Sequence, residues 1–494
     1  MTVVSSVYLL IFLPLIAAIF CQTIPLKKNY FWFTFFCCIA SFLLVISFYP
    51  QVLAYKKISN DFQLSLLSLG LEFSLDVLGY FFLLLLVFTK IVILFFYRPD
   101  VEKFLTEKNA KIFYSVFLLN LFALINILLT NNLFNLFVFL EIYAFTFFAI
   151  STLSRDGELL KISFRDFCLN ATASLLILFC FLIAHLLFKK INFDQIAADV
   201  NMFASADSVI SLTILLFLAT AFLIKFFPFW LSFAKIKNNN LVSNFLIAES
   251  MFIKSSVGIF LTLKFVYFFF GKTFLFTTLG LDFPLVIFAI LLIIFSAIGV
   301  YQQKHLQSIC IYLCLINIGF ILAAIGLHSF DSLRSVFFYM LNFNLVNLFV
   351  FIFATFLKRR FGSASLIKIS LIKQDHLLLV LPLKLLIFLA AAFPLTPLFF
   401  ANWNMAYASL NPGFESFLLI ALIVANFAYV DLATRFIDAI FAKGSAAPTK
   451  IKLETYRSYL ISLWLLILAI CFVVFFAAFA DRLSANFASY LLSI

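Results

Sequence analysis

Apolar runs as long as a bilayer crossing fill most of the chain, separated by short polar joints. A helix rises 1.5 Å per residue, so about 20 apolar residues cover about 30 Å of hydrocarbon. By that ruler the pattern predicts about fourteen spans, near residues 3–21, 31–50, 75–96, 111–129, 132–152, 164–188, 208–232, 241–269, 282–301, 308–327, 335–357, 377–402, 415–440 and 457–480. Only Asn131 and Asn132 mark the turn between the fourth and fifth. The longest joints, around 51–74 and 190–207, have room for one short interfacial element each, and none has room for a soluble domain. The expected fold is an all-α polytopic membrane protein. The first run, Val3 to Ile19, has no basic segment before it and no Ala-x-Ala site before Lys27 and Lys28. It reads as a retained membrane helix, not a cleaved signal.

Lys and Arg orient the spans. Of the 34 in the chain, six lie well inside spans, away from their first two residues: Lys90, Lys225, Lys254, Lys264, Lys384 and Arg435. Seven lie in joints after even-numbered spans: Lys56, Lys57, Lys189, Lys190, Lys272, Arg334 and Arg482. The other 21 follow odd-numbered spans, from Lys27 to Arg457. Basic joints favour the cytoplasm, so both termini are expected outside it, in a plasma (inner) membrane. This bias accounts for the net charge of +12 without a nucleic-acid partner.

Composition agrees with the pattern. Of the 494 residues 65% are hydrophobic and only 11% charged, against about 25% charged in a soluble domain. The 74 Phe carry no motif. They exchange with Leu and Ile in lipid at small cost. Eight Cys (Cys21, Cys37, Cys38, Cys168, Cys180, Cys310, Cys314 and Cys471) lie in or beside apolar runs and read as small packing residues. Cys310 and Cys314 share a helical face, but the four His are scattered, so no metal site is expected. No nucleotide, flavin or iron–sulfur motif is present either. The chain is expected to hold no cofactor and to catalyse nothing alone.

The informative residues are ionisable groups inside the spans, each of which costs several kcal/mol unless it faces protein or water. Glu141 lies midway in the fifth span, Lys225 in the seventh, Glu249 and Lys254 in the eighth, and Lys384 in the twelfth. Asp431, Arg435 and Asp438 lie in the thirteenth, where Asp431 and Arg435 are spaced to pair on one face. Asp76, Lys90 and Lys264 are near enough to span ends for snorkelling. Burial disfavours the charged form of Lys and Glu alike, while an opposite charge nearby favours it. Moving Glu141 toward or away from Lys225 would therefore switch the Lys between holding and releasing a proton. A line of such groups is a proton relay.

Proline adds a pattern. Pro228 follows Lys225 by three residues, and Pro394 and Pro397 lie in the same span as Lys384. Proline-interrupted spans at matching places point to an inverted-repeat transporter. The expected division is 1–110 (spans one to three), 111–270 (first five-helix repeat, spans four to eight), 271–440 (second repeat, spans nine to thirteen) and 441–494 (last span and tail). Two sets of five are necessarily inverted.

Several segments then resemble one family. Leu71-Glu72-Phe73-Ser74-Leu75-Asp76 looks like the Gly-x-x-Phe-x-x-Asp opening of its third helix, and Leu136 to Glu141 like the run ending in its fifth-helix glutamate. Phe164-Arg165-Asp166-Phe167 with Ala171-Thr172-Ala173-Ser174 is similar to its sixth-helix opening. Trp230-Leu231-Ser232-Phe233-Ala234 with Val242-Ser243 resembles Trp-Leu-Pro-x-Ala…Val-Ser. Lys254, Gly258 and Lys264 resemble its eighth-helix basic pair. Gln303, Leu306, Tyr312, Asn317 and Gly319 resemble its Gln-x-Asp-Leu-Lys-Arg…Tyr-Ser…Gly-Phe run. The family is the antiporter-like, proton-translocating membrane subunits of respiratory complex I and of Mrp-type cation/proton antiporters, including the D-like subunit. The likeness runs from about 70 to 405.

The resemblance implies a subunit moving protons, with Na+ as a candidate counter-ion, beside other membrane subunits that supply redox chemistry or use a cation gradient. It implies a relay of Glu141, Lys225 and Lys254. Lys384 is a candidate substitute in the twelfth span, but ten residues before Pro394, about 15 Å along a helix, it cannot occupy the same site. Asp76, Arg165, Glu249, Asp431 and Arg435 read as supporting charges. Several positions depart from the family pattern. Ala221 stands where the seventh-helix Lys belongs, one turn before Lys225. Pro228 stands in place of a motif His, Gln307 in place of a joint Lys, and Asn347 and Asn402 in place of ionisable groups of the eleventh and twelfth helices. A divergent relative acting as a structural or assembly subunit is the alternative these losses suggest.

Overall fold

The computed structural model describes residues 3–24, 29–55, 57–62, 71–153, 157–188, 192, 193, 195, 208–226, 241–362, 364–366, 369, 377–394, 396–410, 414–441 and 457–493. Among these, twelve helices are long and apolar enough to cross a membrane, with a shorter apolar helix at Thr213–Lys225. The chain is a multi-pass membrane protein. It forms two compact units, Met1–Leu279 and Gly280–Ser493.

The first unit starts with helices α1 (Val3–Thr23), α2 (Tyr30–Ser47) and α3 (Tyr49–Tyr55). The joint that follows holds a hairpin where one interfacial element was expected. Strands β1 (Lys57–Phe62) and β2 (Leu71–Asp76) pair antiparallel, from Lys57 opposite Asp76 to Phe62 opposite Leu71. Asp76 then caps α4 (Val77–Phe104), its Oδ1 accepting from the Gly79 backbone N–H at 2.5 Å. Asp76 is thus a helix cap, not a charge within a span.

Next come α5 (Glu107–Leu129), α6 (Leu133–Thr152), α7 (Gly157–Phe188) and α8 (Ser208–Phe226). The tight turn before α6 falls where expected. The Asn132 side chain accepts from the backbone N–H groups of Phe134 (2.9 Å) and Asn135 (3.4 Å). Thr130 bridges to Phe73 of β2, and its carbonyl accepts from Lys264 Nζ at 2.6 Å. Lys264 is buried among Phe193 and Phe260, so it ties down this turn and does not snorkel.

Helix α9 is composite. It runs through Leu241–Ala248, a π-helical turn Glu249–Lys254, then Ser255–Lys264 and a second π turn Phe265–Phe270. A π turn closes its hydrogen bonds five residues apart, so it rotates side chains off the ordinary helical stripe. Helices α4 and α9 lie in the interior of this unit, while α1, α2 and α7 keep apolar faces exposed, as lipid-facing helices do.

The second unit comprises α10 (Asp282–Gln302), α11 (Leu306–Leu327), α12, α13 (Leu377–Ala390), α14 (Pro397–Ala408), α15 (Phe417–Phe441), α16 (Arg457–Phe475) and α17 (Ala477–Leu492). Helix α12 joins Phe330–Leu341, a π turn Asn342–Asn347 and Leu348–Phe361. Glycine sets the closest pairing, α10 on α11. A Cβ on Gly299 would lie 2.3 Å from the Tyr312 ring, and one on Gly319 would lie 2.6 Å from Ile293. Backbones this close are typical of helix contacts in lipid, where small residues admit dispersion contacts.

Two expectations fail in this unit. The span 377–402 is not one helix: α13 ends at Ala390, Ala392 takes a left-handed φ of 51°, Pro394 follows, and Thr396 caps a new helix with Pro397 in its first turn. Proline lacks the N–H a continuing helix needs but suits a first helical turn. This break leaves α13 and α14 each too short to cross as a single span. The expected tail is instead helix α17, tied to α12 by an Arg334–Asp481 ion pair and by Arg334 Nε donating to Ser484 at 3.1 Å.

Candidate functional site

Among the described residues, the first unit brings together three buried ion pairs. Lys225 of α8 donates to Glu141 Oε1 of α6 at 3.3 Å, and to the Ser174 hydroxyl of α7. The Lys225 side chain is 3% exposed and that of Glu141 is 23% exposed, so Glu141 is the member with an outward opening. Lys254 of α9 reaches both carboxylate oxygens of Asp166 on α7 at 3.1 Å. Lys90 of α4 donates to Glu249 of α9 and to Asn120 Oδ1 of α5, the latter at 2.5 Å.

A polar stripe on α7 links the first two pairs. Asp166, Asn170 and Ser174 recur every four residues, one helical face, and all three are buried. Asn170 Nδ2 donates to Asp166 Oδ2 at 3.0 Å, and Ser174 Oγ donates to the Asn170 backbone carbonyl at 2.9 Å. Asp166 and Ser174 lie roughly 12 Å apart along the axis. Hydrogen-bonding groups therefore run from Glu141 through Lys225, Ser174, Asn170 and Asp166 to Lys254. A cleft beside the stripe is lined by Tyr143, Phe147, Asp166, Asn170, Lys225 and Lys254.

Local sequence explains these placements. The π turn Glu249–Lys254 carries Glu249 and Lys254 together into the interior, where a regular helix would splay residues five apart. Lys90 sits near the middle of the 28-residue α4, and both it and Glu249 have 1% side-chain exposure. Its expected snorkelling is therefore wrong: an interior carboxylate holds it, above the Phe117 ring at 4.9 Å.

The remaining candidates fall elsewhere. Arg165 is exposed, one position off the inward stripe, while its neighbour Asp166 takes the interior place. Lys384 is exposed on α13. Asp431 and Arg435 pair at 2.8 Å, and the Arg435 guanidinium also donates to the carbonyls of Val300, Tyr301 and Gln303 at the end of α10. That arrangement caps a helix C-terminus. Pro228 and Trp230 to Ala234 lie outside the described residues.

The second unit carries a neutral counterpart. The π turn of α12 buries Asn342, Asn344 and Asn347. Asn342 Nδ2 donates to Asn317 Oδ1 at 3.2 Å, and Asn347 Nδ2 to Cys314 Sγ at 3.4 Å. Tyr339 donates to Asn402 Oδ1 at 2.9 Å, and Asn402 Nδ2 to Asn426 Oδ1 at 2.8 Å. Each unit thus centres on a π turn with buried polar side chains, charged in the first and amide in the second.

Residues 130–428, well over half of the chain, match the family described as NADH:quinone oxidoreductase/Mrp antiporter, transmembrane region. The chain belongs to that family. Within it, a protein of Staphylococcus aureus (strain MRSA252), provisionally named antiporter subunit mnhD2, is 30% identical over 219 residues, covering 43% of this chain and 42% of its own length. The like-named protein of Staphylococcus saprophyticus is 26% identical over 311 residues, covering 62% and 58%. The chain therefore spans about half the length of the curated relatives it matches.

Solved structures extend the likeness to nearly the whole chain. In the Mrp complex from Dietzia sp. DQ12-45-1b one chain superposes with a TM-score of 0.79 at 16% identity, over 99% of this chain and 98% of that one. The membrane-bound sulfane sulfur reductase, an archaeal respiratory membrane complex, gives 0.80 at 18%, over 98% and 97%. Respiratory complex I from Thermus thermophilus gives 0.73 at 18%, over 98% and 99%. At such identities the shared property is the fold.

Proposed function

We propose that this chain is a proton-translocating, antiporter-like subunit of a multisubunit membrane complex. The observation that carries the reading is Lys225, buried between Glu141 and Ser174 at the head of a hydrogen-bonded line to Lys254. Glu141, partly exposed, receives or gives up the proton. Lys225 holds it next and passes it along the cleft toward Asp166, with Ser174 and Asn170 orienting the two ends. Lys254 is the inner terminus. Glu141, Lys225, Asp166 and Lys254 are the groups that gain and lose the proton, while the Ser174 hydroxyl and the Asn170 amide hold Lys225 and Asp166 in place.

The setting is inferred with it. The names of the relatives favour partners that are other membrane subunits. Na+ is the candidate counter-ion that the family resemblance suggests for an Mrp-type assembly. In an assembly like complex I, partner subunits would supply the redox chemistry. The basic joints favour a plasma membrane with both termini outside the cytoplasm. Residues 111–270 and 271–440 would then be inverted five-helix repeats, the first with the ionisable relay and the second with amides.

The all-amide centre of the second unit favours one competing reading, a subunit that scaffolds its complex without conducting. Proton flux into proteoliposomes holding the intact complex separates the two. Glu141→Gln and Lys225→Ala should each abolish flux with the complex still assembled. Unchanged flux in both would leave the scaffold reading. Copurification with quinone-reductase or Mrp-like subunits would identify the complex.

A further inference from the structure

The Lys90–Glu249 pair lies outside the line just described, yet it is the most deeply buried of the three pairs. Its surroundings do not resemble an inert brace. Glu249 Oε1 accepts from Lys90 and from the Tyr143 hydroxyl, the latter at 3.2 Å. Glu249 Oε2 is equally buried and, among the described residues, has no donor. A buried carboxylate oxygen without a partner is costly. Tyr143 also lines the cleft shared by Lys225, Asp166 and Lys254. It thus bonds to the deep pair and lines the cleft of the relay. Asn120 braces the cluster, accepting from Lys90 and donating to Thr146 Oγ1 at 2.8 Å.

We propose that Lys90 and Glu249 form a second proton-holding station, exchanging protons with the Lys225–Lys254 line through Tyr143. The inference rests on the proton-translocating reading above. In the loading step Tyr143 gives its hydroxyl proton to the Glu249 carboxylate and takes a replacement from the cleft, where the Lys254 ammonium is the donor. One N–H bond breaks at Lys254 and one O–H bond forms on the Glu249 carboxyl. Tyr143 ends as it began, and no electron moves. Lys254 becomes a neutral amine while Lys90 stays an ammonium, so the deep cluster goes from net neutral to singly positive. Unloading reverses each bond change. The proton arrives on Oε1, the oxygen Tyr143 reaches, and the buried Oε2, with no donor among the described residues, makes the charged carboxylate costly and so favours holding it.

The test compares proton flux in proteoliposomes of the intact complex for wild type, Tyr143→Phe, Glu249→Gln, Lys90→Met with Glu249→Leu together, and Glu141→Gln. The station predicts that Tyr143→Phe and Glu249→Gln each lower flux by about 100-fold or more, the range for losing a positioned proton-transfer group. Difference infrared spectra should lose a carboxylic acid band in Glu249→Gln. The paired apolar replacement removes both charges and should keep the complex assembled, as apolar substitutes for buried pairs do, without restoring flux. If that double variant and Tyr143→Phe transport at the wild-type rate while Glu141→Gln is dead, the pair is only a brace and the station is refuted, with the relay intact. If Glu141→Gln also transports normally, the relay fails and the station fails with it.

Discussion

Asn170→Leu cuts the α7 stripe without touching a charge. Leu is close in size to Asn and favours helix. The variant removes a 3.0 Å hydrogen bond into the Asp166 carboxylate, and it leaves Ser174 and Asp166 two helical turns apart with no side-chain donor between them. A hydrogen bond to a charged group contributes about 1.5–3 kcal/mol. Lost from the transfer path, that is roughly a 10- to 150-fold slower passage. Lost from the folded state, it lowers the melting temperature modestly, because the Lys254–Asp166 contact at 3.1 Å survives. The assay is quenching of a pH-sensitive dye in proteoliposomes containing the complex, with thermal unfolding measured in detergent beside it. Slow flux with near-normal stability is expected. Wild-type flux in Asn170→Leu would mean that protons do not follow the stripe.

Other outcomes follow from the same geometry. Asp166→Leu should destabilise the protein by about 3–5 kcal/mol, since Lys254 is left buried without its anion; adding Lys254→Met should recover most of that in a thermal melt but none of the flux. Gly299→Val should lower stability by about 1–3 kcal/mol, because its Cβ would sit 2.3 Å from the Tyr312 ring, and an unchanged melt would refute the close α10–α11 packing. Arg165→Ala and Lys384→Ala should leave flux within about twofold of wild type, as expected for exposed substitutions away from buried networks. A large loss in either would put an unseen charge on the path.

Most of the architecture was legible because lipid leaves a helix few options. Span positions, the Asn131–Asn132 turn and the Asp431–Arg435 pair all follow from local spacing. The membrane setting follows from composition. Pairings across distant helices were harder to see. Lys90 and Glu249 are 159 residues apart in the chain, and Lys90 looked close to a span end because α4 continues well past the apolar run, to Phe104. The π turns leave no mark in composition, yet they decide which residues of α9 and α12 face inward. One signal was present and overlooked. Asp166, Asn170 and Ser174 recur at four-residue spacing, which distinguishes the inward acid from its exposed neighbour Arg165. Proline placement suggested an interrupted twelfth span, and Pro394 and Pro397 lie where it divides into two helices.

The measurement closest to the central claim is proton flux in Lys225→Arg. Arginine keeps the positive charge and can still donate to Glu141 and Ser174, but it does not give up its proton in proteins. The account predicts a normally assembled complex with no proton flux. Wild-type flux through the Lys225→Arg complex would show that the proton does not pass through this side chain, and the relay would have to be abandoned.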